Sequence, residues 1–291
     1  MTGQDDPIGL CLAGRISPEV ALARLLLGGV SPEAVARDVA GRREAGDERW
    51  RRLDALVSAR RGGLDALSAM LREAGVDHGA CGAPPDAAIA AIATLFDRAV
   101  ARAPEASVAA YSLGDPTILA AATDEIIAWL CQEKLIGADR DVLDLGCGIG
   151  RVSVALAGHC RSVLGLDVSP GMVAEAHRRH GAVPGLRFGT TSGTGLGAQP
   201  DAGFDLILAV DSFPYLVQAG GGVAERHLAD AARILRPGGA FAILNLSYRG
   251  NLALDRADAE RWAEAGGWTL ASNGVAPFTI WDGVAFLLRR P

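Results

Sequence analysis

The sequence predicts an α/β protein: a doubly wound, largely parallel sheet with helices on both faces, preceded by an N-terminal helical accessory domain. Three observations carry this expectation. After about residue 114, short apolar runs alternate with helical patterns, the order that builds parallel sheets. The stretch "VLDLGCGIGRVSVALA", Val142 to Ala157, starts as a buried strand, breaks into alternating glycines and resumes as a helix. The first hundred residues carry helix starts and helical spacing of apolar residues.

In that first region, "SPEVALARLLLGG" and "SPEAVARDVAG" each open with Ser, Pro and Glu and end near Gly. Ser17 and Ser31 are therefore read as helix caps, with Pro18 and Pro32 in the first turn. From Glu48 to Arg72 the residues Leu53, Leu56, Val57, Leu64, Leu67, Met70 and Leu71 mark the apolar face of a longer helix, which Gly62 and Gly63 interrupt. A further amphipathic segment runs from about Pro85 to Ala101, with Ile89, Ile92, Leu95 and Phe96 on its packing side, after a hinge at "GAPPDA". This places a helical module over residues 1–110 and the α/β domain over 111–291. The module's expected roles are a lid over a substrate or the surface of a homodimer.

In the second region a helix from about Ile118 to Glu133 leads into the strand "DVLDLG" and the helix after Gly150. The strand "SVLGLDV" and the helix from "SPGMVAEAHRR" follow. "LRFGT", "FDLILAV", "GAFAILNL" and "GVAFLLRR" are further strands, and Trp281 in "FTIWDG" is assigned to a terminal antiparallel hairpin.

Composition narrows the function classes. With 34 acidic against 28 basic residues and a net charge of -6, the chain has no global footprint for nucleic acid. Arg42, Arg43, Arg49, Arg51 and Arg52 cluster locally, but with acids interspersed and no array of aromatics for base stacking they read as a solvated helix face. The five cysteines lack both the density of a disulfide framework and the CxxC spacing of a zinc site. His177 and His180 have no acidic or cysteine ligands converging on them, so no metal is expected. The start "MTGQDDPIG" lacks the basic segment of a secretory signal. No uncharged apolar run approaches the roughly 20 residues needed to cross a bilayer. A cytoplasmic protein without membrane attachment is the expectation.

Gly146, Gly148 and Gly150 permit a tight turn and close approach of a ligand to the backbone. Asp144 precedes the turn, and Asp167 ends the next strand, placed to bind two ribose hydroxyls. The separation of Gly146 and Asp167 is close to the spacing used for dinucleotides, so the junction by itself leaves the nucleotide open.

Four stretches in order, "VLDLGCGIG", "VLGLDVSPGMV", "FDLILAV" and "LRPGGAFAIL", are more specific than the glycines. Through them the chain resembles the class I S-adenosylmethionine-dependent methyltransferases over about residues 110 to 290. The resemblance implies a Rossmann-like, doubly wound, seven-stranded and mostly parallel sheet. It also implies S-adenosyl-L-methionine as methyl donor, with S-adenosyl-L-homocysteine as product. Carried over by position, Asp144, Gly146 and Gly148 surround the methionine moiety and Asp167 binds the adenosine ribose. Met172 lies beside the adenine, and Ala209 to Asp211 lie near the sulfonium-bearing end. Many relatives have an acidic residue followed by a small one after the third strand. Here the stretch is "GTTSGTG", which leaves Thr191 or Ser192 to meet the adenine amino group, or simply a turn.

The resemblance also places an acceptor pocket after the fourth strand, where "AVDSFPYL" brings Asp211, Ser212 and Tyr215. Asp211 is a candidate to orient an amine or accept a proton, and Tyr215 to position the acceptor or line an apolar wall. Tyr248 in "ILNLSYRG", beside Asn245 and Ser247, is a candidate for closing the pocket, and Tyr111 in "AAYSLGD" for folding over the cofactor. Methyl transfer is expected to an oxygen or nitrogen nucleophile of a small molecule, by alignment of donor and acceptor. Two alternatives stay open: a noncatalytic S-adenosylmethionine-binding protein, and an NAD-dependent oxidoreductase.

Overall fold

The computed structural model describes residues 6–43, 48–74 and 84–291. The chain divides into two compact units. One contains residues 1–76, 98–122 and 278–282, and the other contains 77–97, 123–277 and 283–291.

The helical unit contains α1 (Pro7–Leu12), α2 (Pro18–Leu27), α3 (Pro32–Arg43), α4 (Glu48–Ala59), α5 (Arg61–Ala74) and α7 (Pro104–Val108). It also holds the C-terminal end of α6 (Pro85–Arg102) and the start of α8 (Pro116–Gln132). The expected caps form: Ser17 Oγ accepts from Val20 N, and Ser31 Oγ from Ala34 N, both at 3.2 Å. Leu53, Val57, Leu64 and Leu67 are buried, while the side chains of Met70 and Leu71 lie outside the described residues.

The interruption between α4 and α5 falls at Arg60, ahead of the two glycines that the sequence suggested. Gly63 sits inside α5, and its lack of a side chain serves packing: a Cβ there would lie 2.1 Å from the Leu113 carbonyl oxygen. Arg51 and Arg52 both pair with Glu48, as a solvated helix face does. The side chains of Arg42, Arg43 and Arg49 lie outside the described residues, as do Cys81 and the first part of "GAPPDA".

Trp281 is buried in the loop of the terminal antiparallel hairpin, between the strands at residues 269–275 and 285–289, as expected. It lies in the Phe278–Asp282 segment of the helical unit, where its ring stacks on Tyr111 at 5.6 Å and on Phe278 at 4.9 Å. Asp282 beside it pairs with Arg24.

In the other unit the described residues form a seven-stranded sheet. Its strands are β1 (Asp141–Leu145), β2 (Ser162–Asp167), β3 (Leu186–Thr190), β4 (Phe204–Val210), β5 (Leu235–Leu244), β6 (Thr269–Val275) and β7 (Ala285–Arg289). Their order is β3-β2-β1-β4-β5-β7-β6, parallel throughout except that β7 runs antiparallel between β5 and β6. Strands β1 and β4 and the second half of β5 are largely apolar and buried, as a sheet covered on both faces requires. The helices α9 (Arg151–Ala157) and α10 (Pro170–His180) follow β1 and β2, α11 (Phe213–Ala219) and α12 (Val223–Ile234) follow β4, and α13 (Leu252–Gly266) follows β5.

Strand order reverses around β1, which lies between β2 and β4. Ligands of open α/β sheets bind outside the C-terminal strand ends at such a switch point. Among the described residues, no helix is long and apolar enough to cross a membrane.

Candidate functional site

The C-terminal ends of β1, β2 and β4 bring the glycine turn, Asp167 and Asp211 to one edge of the sheet. Leu145 pairs with Leu166, and Val210 with Leu244, so the residues that follow emerge together. After β1 the backbone turns sharply. Gly146, Gly148 and Gly150 all have positive φ, at 75°, 54° and 80°, where a side chain is strained. Gly146 is also sterically closed: a Cβ would lie 2.2 Å from Ser212 Cβ. Ser212 is fixed there because its hydroxyl donates to the Leu145 carbonyl at 2.5 Å. Gly150 precedes α9 and takes part in the bend.

Asp167 is tied to this turn. Its Oδ2 accepts from Gly148 N and its Oδ1 from Ser169 N, each at 2.9 Å. The carboxyl is 7% exposed. Burial raises its pKa, the N–H groups of Ser169 and Gly148 oppose the rise, and the charge of Asp97 adds to it.

Asp144 is deeper, at 2% exposure. Its Oδ2 accepts from the Ser153 hydroxyl at 2.5 Å. Burial dominates and pushes its pKa up to about 6, with Ser153 and the Arg151 charge holding it from rising further. Cys147, inside the turn, is buried, and burial together with the charges of Asp167 and Asp144 raises its thiol well above the usual value. Such a thiol is a poor nucleophile near neutrality, which agrees with reading it as a small packing residue.

The remaining donor-side candidates vary in exposure. Met172 is 1% exposed and its backbone N–H donates to Ser169 Oγ. Thr191 N donates to the Asp167 carbonyl at 2.9 Å, which carries the chain out of β3 beside the carboxylate. Ser192 is exposed, with its hydroxyl 2.9 Å from that of Thr194. Ala209 is fully buried in the sheet core, paired with Ile243 of β5. Tyr111 belongs to the helical unit and stacks on Trp281.

On the β4 side, Asp211 and Asn245 end adjacent strands, and both have positive φ, at 55° and 69°. This conformation is costly for residues other than glycine and persists where contacts enforce it. Here Asn245 Nδ2 donates to Asp211 Oδ1 at 2.6 Å, while Asn245 Oδ1 accepts from Val284 N at 2.9 Å. Asn245 N also donates to the Val284 carbonyl. One side chain thus joins the ends of β4 and β5 to the start of β7.

Tyr248 closes over this pair, its hydroxyl donating to the Asp211 carbonyl at 3.1 Å. Its ring is 46% exposed and meets Tyr215 edge-on at 5.5 Å. Tyr215 in turn meets Phe96 edge-on at 5.1 Å. Desolvation around the phenol oxygen, then the negative charge of Asp211, raises the phenol pKa of both tyrosines, although Tyr248 as a whole residue stays exposed. They are hydrogen-bond donors at neutral pH, not bases. Ser247, named beside Tyr248, is turned to Asp255 at 2.6 Å.

Two residues of this edge, Asp97 and Ser153, escaped sequence reasoning, as did the bonds of Ser212 to Leu145 and of Asn245 to Asp211. Ser153 left one signal, a lone polar residue within the apolar helix run "RVSVALA". His177 and His180 end α10, and His177 meets Phe188 edge-on. Among the described residues no group of three or more His, Cys, Asp or Glu side chains is arranged to hold a metal.

Residues 142–239 match the family described as "Methyltransferase domain". A demethylmenaquinone methyltransferase of Tropheryma whipplei is 31% identical over 118 residues, 40% of this chain and 46% of that protein. A trans-aconitate 2-methyltransferase of Methylobacterium nodulans is 36% identical over 110 residues, 37% of this chain and 39% of that protein. An S-adenosyl-L-methionine-dependent Diels-Alderase, iccD of Talaromyces variabilis, is 31% identical over 134 residues, 43% of this chain and 44% of that protein. The chain therefore spans less than half the length of these relatives. In fold, a phosphoethanolamine N-methyltransferase of Haemonchus contortus aligns with a TM-score of 0.53 at 14% identity, over 70% of this chain and 49% of that one.

Proposed function

We propose that this chain is a class I S-adenosylmethionine-dependent methyltransferase, on the match of residues 142–239 to the methyltransferase domain family, and that it methylates an oxygen or nitrogen atom of a small molecule. The observation that carries the donor half is the bonded unit of the glycine turn and Asp167.

The residues fit that donor. Asp167 takes the Gly148 and Ser169 N–H groups on separate oxygens, and a carboxylate has about four acceptor positions, which leaves room for ribose hydroxyls. Gly146 and Gly148 keep the turn clear of side chains where the methionine portion would pass. Asp144, ionised above about pH 6, supplies negative charge for an amino group, directly or through water. Met172, Thr191, Ser192 and the main chain at Ala209 are assigned the adenine and sulfonium ends. When bound, S-adenosylmethionine supplies an electrophilic methyl group on a sulfonium.

The acceptor side is assigned to Asp211, Tyr215 and Tyr248. In this reading Asp211 orients the acceptor and takes its proton, while Tyr215 and Tyr248 keep their own protons and wall the site against water. Closure over the cofactor is assigned to Tyr111. The N-terminal helices are assigned the role of a lid or a homodimer surface, which sedimentation with and without S-adenosylhomocysteine distinguishes.

The test is an acceptor screen: incubation with S-adenosylmethionine and panels of small alcohols, phenols, carboxylic acids and amines, reading S-adenosylhomocysteine release and product mass. Release tied to a methylated acceptor, and lost in Asp211→Asn, supports the reading. Donor binding without release from any panel favours the noncatalytic alternative.

A further inference from the structure

Ser169, the residue before α10, has its polar groups committed in three directions. Its N–H donates to Asp167 Oδ1 at 2.9 Å, its Oγ accepts from Met172 N at 3.0 Å, and its hydroxyl proton goes to Asp97 Oδ1 at 2.5 Å. The same Asp97 oxygen accepts from Gly171 N at 2.8 Å. Asp97 lies on α6, outside the residues that match the methyltransferase family.

Two carboxylates therefore flank one serine, Asp167 on its N–H and Asp97 on its hydroxyl. This proximity has an electrostatic cost, because the Asp97 charge opposes ionisation of Asp167. Capping α10 alone does not require that arrangement: Ser169 already accepts from Met172 N, and Pro170 brings no N–H. What Asp97 adds is a fixed direction for the serine hydroxyl and a second anchor at Gly171. Together these hold the turn from 167 to 171 at the end of β2.

We propose that Asp97 is a positioning residue for the donor site: by holding Ser169 and Gly171 it sets the direction in which Asp167 presents its oxygens to the ribose. The proposal rests on the ribose role of Asp167 in the function proposed above. It predicts an effect confined to the ribose, carried by hydrogen-bond acceptance and not by charge.

The experiment is calorimetric binding of S-adenosylhomocysteine and of its 2′-deoxyribose analogue to the full chain, with thermal unfolding followed in parallel. Wild type should prefer S-adenosylhomocysteine. Asp97→Ala should weaken S-adenosylhomocysteine by about fivefold to tenfold and the deoxy analogue by less than about twofold. Asp97→Asn, which keeps an acceptor oxygen, should bring S-adenosylhomocysteine back to within about threefold of wild type. Ser169→Ala cuts the same link from the other end and should reproduce the ribose-selective loss, which decides the matter if Asp97→Ala does not fold.

Equal weakening of both ligands, no weakening at all, or an Asn variant as weak as the Ala variant would overturn the proposal. A wild-type protein that binds both ligands equally would instead overturn the ribose role of Asp167, and the role of Asp97 with it.

Discussion

Gly148 donates its backbone N–H to Asp167 Oδ2 at 2.9 Å, so the turn after β1 and the carboxylate at the end of β2 form one bonded unit. A change to either strand end is felt by the other. Beside this unit, Gly146 lies against Ser212 at the end of β4, which extends the same constraint across the switch point of the sheet.

Gly146→Ala is expected to be severe. The new methyl would meet Ser212 Cβ at 2.2 Å, and the residue would hold a φ of 75°. The two penalties together should cost about 3 kcal/mol or more. Adding Ser212→Gly removes the collision but not the backbone strain, so the double variant should recover part of the lost thermal stability. Full recovery would show that φ carries no penalty there.

Asp144 makes a pH prediction with a definite sign. Its folded pKa of about 6 lies above the ordinary carboxylate value of 3.8. The native state therefore binds a proton that the unfolded state has released between those values, and this group's contribution to stability falls as pH rises through that window. The size is about 3 kcal/mol at most. Asp144→Asn should flatten stability between pH 4 and 6 in denaturant titrations. If Asp144 also serves the donor's amino group, S-adenosylhomocysteine affinity in wild type should rise through about pH 6 and lose that rise in the variant.

Asn245→Ala separates the two halves of the proposed site. It removes the bonds to Asp211 Oδ1 and Val284 N while leaving β1 and β2 untouched. An expected loss of about 1 to 2 kcal/mol in stability should accompany S-adenosylhomocysteine affinity within about twofold of wild type. With an acceptor in hand, turnover should fall far more than donor binding.

How much of this was legible in the sequence depended on whether the cause was local. Strands β1 and β4 and the second half of β5 announce themselves as largely apolar stretches because both faces are covered, and the caps at Ser17 and Ser31 are set within four residues of each helix start. Strand β6, "TLASNGV", has no such signature: it is an edge strand carrying Ser272, Asn273 and Gly274, and its pairing with β7 shifts register twice. The residues around the glycine turn were readable by spacing. Their supports were not, because Ser153 meets Asp144, and Asp97 meets Ser169, only after the chain has folded. The ring partner of Trp281 followed the same rule, since Tyr111 is remote in sequence.

Far from the candidate site, Arg236 bridges Asp141 and Asp205, at 2.8 and 2.5 Å, where β1, β4 and β5 begin. The Arg161 hydrogen bond comes first among the groups that hold Asp141 well below the usual carboxylate range, and Ser162 and Arg236 add to it. A lowered folded pKa gives stability that is present above the unfolded value near 3.8 and is lost as pH falls through the folded one. Arg236→Ala should therefore cost about 1 to 2 kcal/mol at pH 7. The gap from wild type should narrow below about pH 3 as the carboxylates protonate. A gap unchanged by acid would assign the loss to packing alone.

The central claim is that the glycine turn and Asp167 hold S-adenosylmethionine, and calorimetry tests it most directly, with NAD as matched control and Asp167→Ala as the site variant. The account predicts saturable binding of S-adenosylmethionine and S-adenosylhomocysteine, weakened by the substitution, and none of NAD. Folded protein that binds neither, or that binds NAD through Asp167, would contradict it.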